Sequence, residues 1–410
     1  MATPTPAAIR PSPVTRRQIL RGTSVAAVAA LGVGSGLGAA HAASPPAEDH
    51  AASPRPLGSR AAPDLGAVRK VLAGLIEAEG LPGAQAVITG ADGRVREVGV
   101  GAGDLASGRP YPHLSRLRVA SHTKSFIATV VLQLVAEGRV RLEAPVERYL
   151  PGVVRGHGND GRRISVHQML QHTSGLPDFP DDLTDETPGH FTPEAVVRRL
   201  LSQPPLFPPG DRWWYCNLNY ILLGMLVERV TGHGYEREVE RRVIEPLGLA
   251  HTYWPRWPEQ RLRGPHPKAY APVAGGGHRE ITFINTSLIG SAGALVSTAQ
   301  DLTTLYTAQL AGELLPPAQL ALMRDTMPAA DLARGAEYGL GLVSYPIDGG
   351  AGGRFWGHGG TVDGTRTRGG VTEDGRAVFV AVNEVPARED ASQAVVDAVD
   401  RIFQAVPAAE

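Results

Sequence analysis

Lysine is almost missing from this 410-residue chain: of 40 lysines and arginines, only Lys70, Lys124 and Lys268 are lysine. Arginine keeps its proton under any condition a protein meets, whereas burial and neighbouring charge can drive a lysine amine neutral. Cysteine is scarcer still. Cys216 stands alone, which excludes an internal disulfide. The formal net charge of -1 excludes the basic field that nucleic-acid binding requires. A membrane-spanning run is also lacking, because the apolar stretch Val25 to Leu37 is short and interrupted by Gly32, Gly34, Ser35 and Gly36.

What is present begins with Thr15-Arg16-Arg17-Gln18-Ile19-Leu20-Arg21, followed by that small-residue stretch and Ala40-His41-Ala42. This pattern resembles a twin-arginine export signal, so residues 1–42 are expected to be a cleaved leader and the protein to be secreted, without a membrane anchor. No cysteine follows the signal to take a lipid. Residues 43–63, mostly Ala, Ser and Pro, cannot repay the entropy of ordering and should form a flexible leader. Asp64 then caps a helix with the stripe Leu65, Val68, Leu72, Leu75 and Ile76, closed by Gly80.

Alternating segments 84–89 and 94–100 flank the turn Ala91-Asp92-Gly93 and predict a hairpin. From residue 121 to about 251 helical spacing dominates. Strand patterning returns at 376–382, and a last amphipathic helix carries Val395, Val399, Ile402 and Phe403. Strands at both ends with helices between them predict an α+β fold: residues 64–120 and 285–410 form an α/β lobe, and residues 121–284 an inserted all-helical lobe.

Three polar clusters carry chemistry. Ser121 and Lys124 open a helix with buried positions Ile127, Val130, Val131, Leu134 and Val135 and a stop at Gly138. Residues three apart share a helix face, so the hydroxyl lies beside an amine that can act as its base. Tyr215 and Asn217 stand two apart in a loop opened by Pro209-Gly210, where alternate side chains point the same way. A phenol near a cationic lysine can be held partly as phenolate, and Cys216 between the two should face the protein. The third cluster is Trp356-Gly357-His358-Gly359-Gly360-Thr361, whose glycines let a ligand approach the backbone. Each cluster alone also fits a helix cap, a packed aromatic or a loop histidine.

In this order the clusters resemble the penicillin-recognising serine hydrolases, closest to the secreted actinomycete D-alanyl-D-alanine carboxypeptidases. The resemblance extends to Gln168-Met169-Leu170-Gln171-His172-Thr173-Ser174-Gly175-Leu176, to Ser291-Ala292-Gly293, to Ser297-Thr298-Ala299-Gln300-Asp301-Leu302 and to Tyr338-Gly339-Leu340-Gly341-Leu342. It implies a five-stranded antiparallel sheet flanked by helices (β-lactamase/transpeptidase-like), with the site between sheet and helical lobe. It also implies an acyl-enzyme on Ser121, with Lys124 and Tyr215 moving protons and no metal or organic cofactor. Asn217, His358, Gly360 and Thr361 would bind substrate, and the backbone N–H groups of Ser121 and Thr361 would form the oxyanion hole.

The sequence departs from the carboxypeptidases where specificity lies. Val343 stands where they have an arginine that holds the substrate carboxylate, and Gly359 where they have a threonine. Arg366 or Arg368 could substitute if one faces the cleft, although strand arginines are more often solvated. Class C β-lactamases have a lysine in place of His358. The foremost expectation is a D-alanyl-D-alanine carboxypeptidase-like enzyme or D-amino-acid peptidase. An esterase or amidase, a β-lactamase and a non-turnover penicillin-binding sensor are the alternatives. The substrate would be a small peptide, amide or ester, with a peptidoglycan stem peptide among the candidates.

Overall fold

The computed structural model describes residues 62–179, 189–348, 353–385 and 391–408. The export signal and all but the last two residues of the expected leader lie outside them. Helix α1 (Leu65–Glu79) starts as its cap requires: the Asp64 carboxylate accepts from the N–H groups of Gly66 and Ala67 at 2.9 and 3.0 Å. It ends where Gly80 adopts φ 65° and donates to the Ile76 carbonyl. Val68, Leu72 and Leu75 are buried against Val395, Val399, Ile402 and Phe403 of the C-terminal helix (Ala391–Gln404).

Both helices cover one face of an antiparallel sheet. Its five long strands are β1 (Gly83–Thr89), β2 (Val95–Gly101), β6 (Arg354–Val362), β7 (Thr365–Thr372) and β8 (Ala377–Val382). Three short strands extend it: β3 (Met327–Pro328), β4 (Glu337–Tyr338) and β5 (Val343–Pro346). The order is β2-β1-β8-β7-β6-β5-β4-β3, so the two ends of the chain meet where β1 pairs with β8. The period of two divides the sheet: Ala84, Ala86, Ile88, Val378 and Val380 face the terminal helices, while Val87 and Phe379 join the helical core.

That helical core is built around α2 (Thr123–Ala136). The sequence predicts one buried stripe, but the structure buries this helix on every side, including Lys124, Ser125 and Thr129. The polar members are admitted because each finds an acceptor: Ser125 Oγ donates to the Gly341 carbonyl at 2.7 Å and Thr129 Oγ1 to the Ser125 carbonyl at 2.8 Å. Helices α3 (Val166–Leu170), α4 (Asn217–Thr231) and α5 (Ala299–Leu310) pack their apolar residues into the same core as α2. A capping box starts α3, in which Ser165 Oγ accepts from Gln168 N–H at 3.1 Å and Gln168 Oε1 from Ser165 N–H at 2.9 Å.

Candidate active site

Ser121 occupies the single turn Ala120–His122 that leads into α2. Ala120 has φ 48°, a conformation costly for a residue with a Cβ, and this kink turns the chain from an extended segment into the helix. Lys124, fully buried one turn on, places Nζ 3.0 Å from Ser121 Oγ. Nζ also donates to Asn217 Oδ1 and to the Ala292 carbonyl, both at 2.8 Å. Burial lowers the amine from 10.5 to about 7, and the Asp178 carboxylate pulls in the other direction.

The protons can then be counted. A neutral amine has two N–H groups and one lone pair. Asn217 Oδ1 and Ala292 O can only accept, so they take the two N–H groups. The lone pair is left for the Ser121 hydroxyl, which donates to it. Asn217 is held in the required orientation because its Nδ2 donates to Asp178 Oδ2 at 3.1 Å. It is therefore the first residue of α4 and a polar bridge between Asp178 and Lys124.

Tyr215 and Cys216 diverge as an extended segment demands. Cys216 is buried and its thiol donates to the Pro177 carbonyl at 3.4 Å, while Tyr215 faces the Ser121 cavity. The Tyr215 ring lies 4.8 Å from Lys124 Nζ, and its buried hydroxyl has no hydrogen bond of good geometry. The partial phenolate expected from the sequence is not what this environment favours. Burial pushes Tyr215 well above the usual phenol value, and the nearby Ser121 hydroxyl offsets only part of this. Lys124 is thus the group poised to accept a proton near neutral pH, and Tyr215 is a phenol able to give one.

His358 lies on β6 and is 1% exposed. It makes no bond to Tyr215; instead a buried chain links it to the segment under Tyr215. Cys216 N–H donates to His172 Nδ1 at 3.2 Å, which leaves the proton of His172 on Nε2. That N–H meets the Tyr338 hydroxyl at 3.1 Å, and the same hydroxyl is hydrogen-bonded to His358 Nε2 at 3.0 Å. His358 Nδ1 accepts from the Gly359 N–H at 2.9 Å and lies 2.6 Å from the Gly359 carbonyl. The His172 ring also stacks 4.4 Å from Tyr215, and its carbonyl accepts from Trp214 N–H at 2.9 Å, so one histidine clamps the Tyr215 loop on both sides. Burial first, then Lys124, lowers His358 to about 3, which keeps it neutral.

Gly360, expected at the substrate, instead faces the serine turn: a Cβ there would sit 2.1 Å from the Val119 carbonyl. Its contribution is to let β6 approach that turn closely, which brings Gly359 and Thr361 to the cavity wall. The strand arginines are buried rather than solvated, and Arg368 joins the wall. The cavity has a volume of about 270 Å³. Two other cavities, of about 500 and 590 Å³, are larger but contain none of Ser121, Lys124 and Tyr215, and they lack an activated nucleophile.

Sequence reasoning missed the roles of Asp178, His172, Tyr338 and Ala292. Three of these lie in segments that carry the family resemblance, but only the fold shows what they touch. Asp178 had no local signal.

Known proteins place these features in context. The chain is 37% identical to esterase EstB of Burkholderia gladioli over 167 residues, 36% of this chain and 41% of the esterase. It is 30% identical to Protein flp of Staphylococcus aureus over 141 residues, 34% of this chain and 28% of that protein. Those matches span less than half the length of either relative. Among solved structures, the D-stereospecific amidohydrolase from Streptomyces sp. aligns with a TM-score of 0.73 and 36% identity, covering 82% of this chain and 98% of that one. The D-amino acid amidase from Ochrobactrum anthropi SV3, complexed with L-phenylalanine amide, aligns with a TM-score of 0.75 and 25% identity over 83% of this chain and 98% of that one. The Beta-lactamase family profile matches residues 68–400, and the chain belongs to the β-lactamase family of hydrolases.

Proposed function

We propose that this protein is a serine hydrolase that opens small amide and ester bonds through an acyl-enzyme on Ser121, with D-amino-acid amides and short D-peptides as its substrates. The observation that carries the reading is the convergence on Lys124 Nζ of Ser121 Oγ at 3.0 Å with Asn217 Oδ1 and the Ala292 carbonyl, both at 2.8 Å; in the neutral amine the two acceptors take its N–H groups and its lone pair is left to the Ser121 hydroxyl. In the first step Ser121 Oγ bonds to the carbonyl carbon and its proton passes to Lys124 Nζ. The N–H groups of Ser121 and Thr361 stabilise the oxyanion. The C–N or C–O bond then breaks as the leaving group takes a proton from Tyr215, which is replenished from the Lys124 ammonium. Water repeats the sequence on the acyl-enzyme, releasing the acid and restoring Ser121.

The similarity to two D-selective amide hydrolases over most of the chain supports the substrate class. An esterase is the second reading, supported by the likeness to EstB. A neutral His358 where class C β-lactamases have a lysine argues against lactam hydrolysis. The paired arginines at Arg16 and Arg17 support action outside the cytoplasm. The test is a panel of a D-amino-acid amide, an N-acyl-D-Ala-D-Ala peptide, a p-nitrophenyl ester and a cephalosporin, with mass spectrometry of the quenched enzyme. The acyl mass should appear on Ser121, and D-amino-acid amide should turn over faster than its L enantiomer. Turnover without a Ser121 adduct, or without chiral preference, would reject the mechanism or the substrate class respectively.

A further inference from the structure

Like charges on one cavity wall repel, so carboxylates that gather there without cations leave a place for one. The cavity of about 500 Å³ in the helical lobe is lined by Glu194, Glu228 and Glu236, which come from the helix Pro193–Leu200, from α4 and from the helix Tyr235–Val239. Two of them converge. A Cβ on Gly234 would lie 3.1 Å from Glu236 Oε2 and 3.9 Å from Glu228 Oε1. Arg237 and Arg256 stand on the same wall, but among the described residues none of the three glutamates has a cation within the 4.0 Å of an ion pair. Burial raises the Glu228 carboxyl, the Tyr235 N–H offsets part of this, and Glu236 and Glu194 push it further up.

A second, independent feature points to what enters. Trp254 forms part of the wall, is 9% exposed, and its indole Nε1 is buried without an acceptor among the described residues. An indole N–H can only donate, so it calls for an oxygen and not for a cation. The Trp254 ring stands edge-on to Tyr235 at 5.2 Å, and Tyr235 lies between Gly234 and Glu236. Aromatic faces, carboxylates and an unpaired donor therefore border one space. That space backs onto the candidate active site. Leu288, Gly290, Ser291 and Ala294 line it, whereas Ile289, Ala292 and Gly293 line the Ser121 cavity, and the Ala292 carbonyl accepts from Lys124 Nζ at 2.8 Å.

We propose that this cavity is a second binding site, for a small organic amine that carries an oxygen acceptor beside its ammonium group, and that its occupancy adjusts the Ser121 site through segment 288–294. The binding part stands without the Ser121 reading, whereas the effect on turnover rests on it. The ammonium meets Glu228 and Glu236, its neighbouring oxygen takes the Trp254 N–H, and the aromatic faces favour the cation further. A neutral alcohol satisfies the indole but leaves the carboxylates unmet.

The probe is D-phenylalaninol, an amino alcohol with no bond to hydrolyse, and hydrocinnamyl alcohol is its neutral counterpart. Calorimetry on the full-length wild type should show the amine binding about tenfold or more tightly than the alcohol. Glu228→Gln keeps an acceptor for the Tyr235 N–H but removes the charge, and should weaken D-phenylalaninol binding about tenfold; Trp254→Phe, which keeps a ring without the N–H, should weaken it about threefold. In p-nitrophenyl ester hydrolysis the amine should change kcat of the wild type and leave kcat of Glu228→Gln unmoved. Equal affinity of the wild type for amine and alcohol would overturn the proposal without relying on the fold of a variant, and so would undiminished binding in folded Glu228→Gln protein. Purely competitive inhibition would put the probe in the Ser121 cavity and overturn it as well. Binding with an unchanged kcat would reject the coupling and uphold the site. Failure of the wild type to hydrolyse any ester or amide would count against the Ser121 mechanism and leave the binding comparison standing.

Discussion

The pH dependence of kcat/KM follows from the state of Lys124. The amine is drawn from 10.5 to about 7 chiefly by burial, so its base form is present above pH 7 and is lost below it. At pH 7 about half of the enzyme carries a neutral amine, whereas an unshifted lysine would be neutral about once in 3000 molecules. With an uncharged amide substrate, kcat/KM of the free enzyme should rise with an ascending limb centred near pH 7 and fall about tenfold per pH unit below it. The site histidines do not compete for this assignment, because burial pushes His172 well below its ordinary value and His358 to about 3. Tyr215 is displaced in the opposite direction, so a tyrosinate base would place the limb above pH 10. Lys124→Arg keeps a cation but removes the lone pair, and general-base loss of this kind costs about a hundred- to ten-thousandfold. Stopped assays from pH 5 to 10 on the wild type, with the variant measured at pH 8, would check both statements. A flat profile between pH 5.5 and 8, or more than about a tenth of wild-type activity in Lys124→Arg, would refute the assignment of Lys124 as base.

Three further outcomes are expected. Tyr215→Phe should preserve acylation by a p-nitrophenyl ester, whose leaving group needs no proton, but reduce amide turnover about a hundredfold, which parallel burst and steady-state measurements would reveal. Asp178→Asn removes the carboxylate that raises the Lys124 pKa, so the ascending limb should move toward acid, and a limb that stays in place would show that Asp178 does not act on Lys124. Gly360→Ala forces a methyl against the Val119 carbonyl at 2.1 Å and should destabilise the fold by about 3 kcal/mol in a denaturant titration, with activity reduced because β6 is pushed from the serine turn.

The local part of the site was legible because it depends on local geometry. Ser121 and Lys124 are brought together by one helical turn, and the α1 cap at Asp64, the first hairpin and the C-terminal helix follow from patterns a few residues long. Alternation also places Tyr215 and Cys216 on opposite sides. What the sequence by itself determined was therefore the placement of Ser121 beside Lys124, the antiparallel sheet flanked by helices and the order of the three polar clusters. Tertiary structure alone decided the direction of the pKa shifts and the make-up of the cavity wall, since both depend on groups far apart in the chain. Lys124 is near-neutral because the helical core buries it and Asp178, Asn217 and Ala292 converge on it. Tyr215 remains a phenol because its hydroxyl is buried, and it is clamped by His172 from another helix end. Arg368 reaches the cavity because strand register sets it opposite Gly359, a cross-strand pairing that no spacing along the chain encodes.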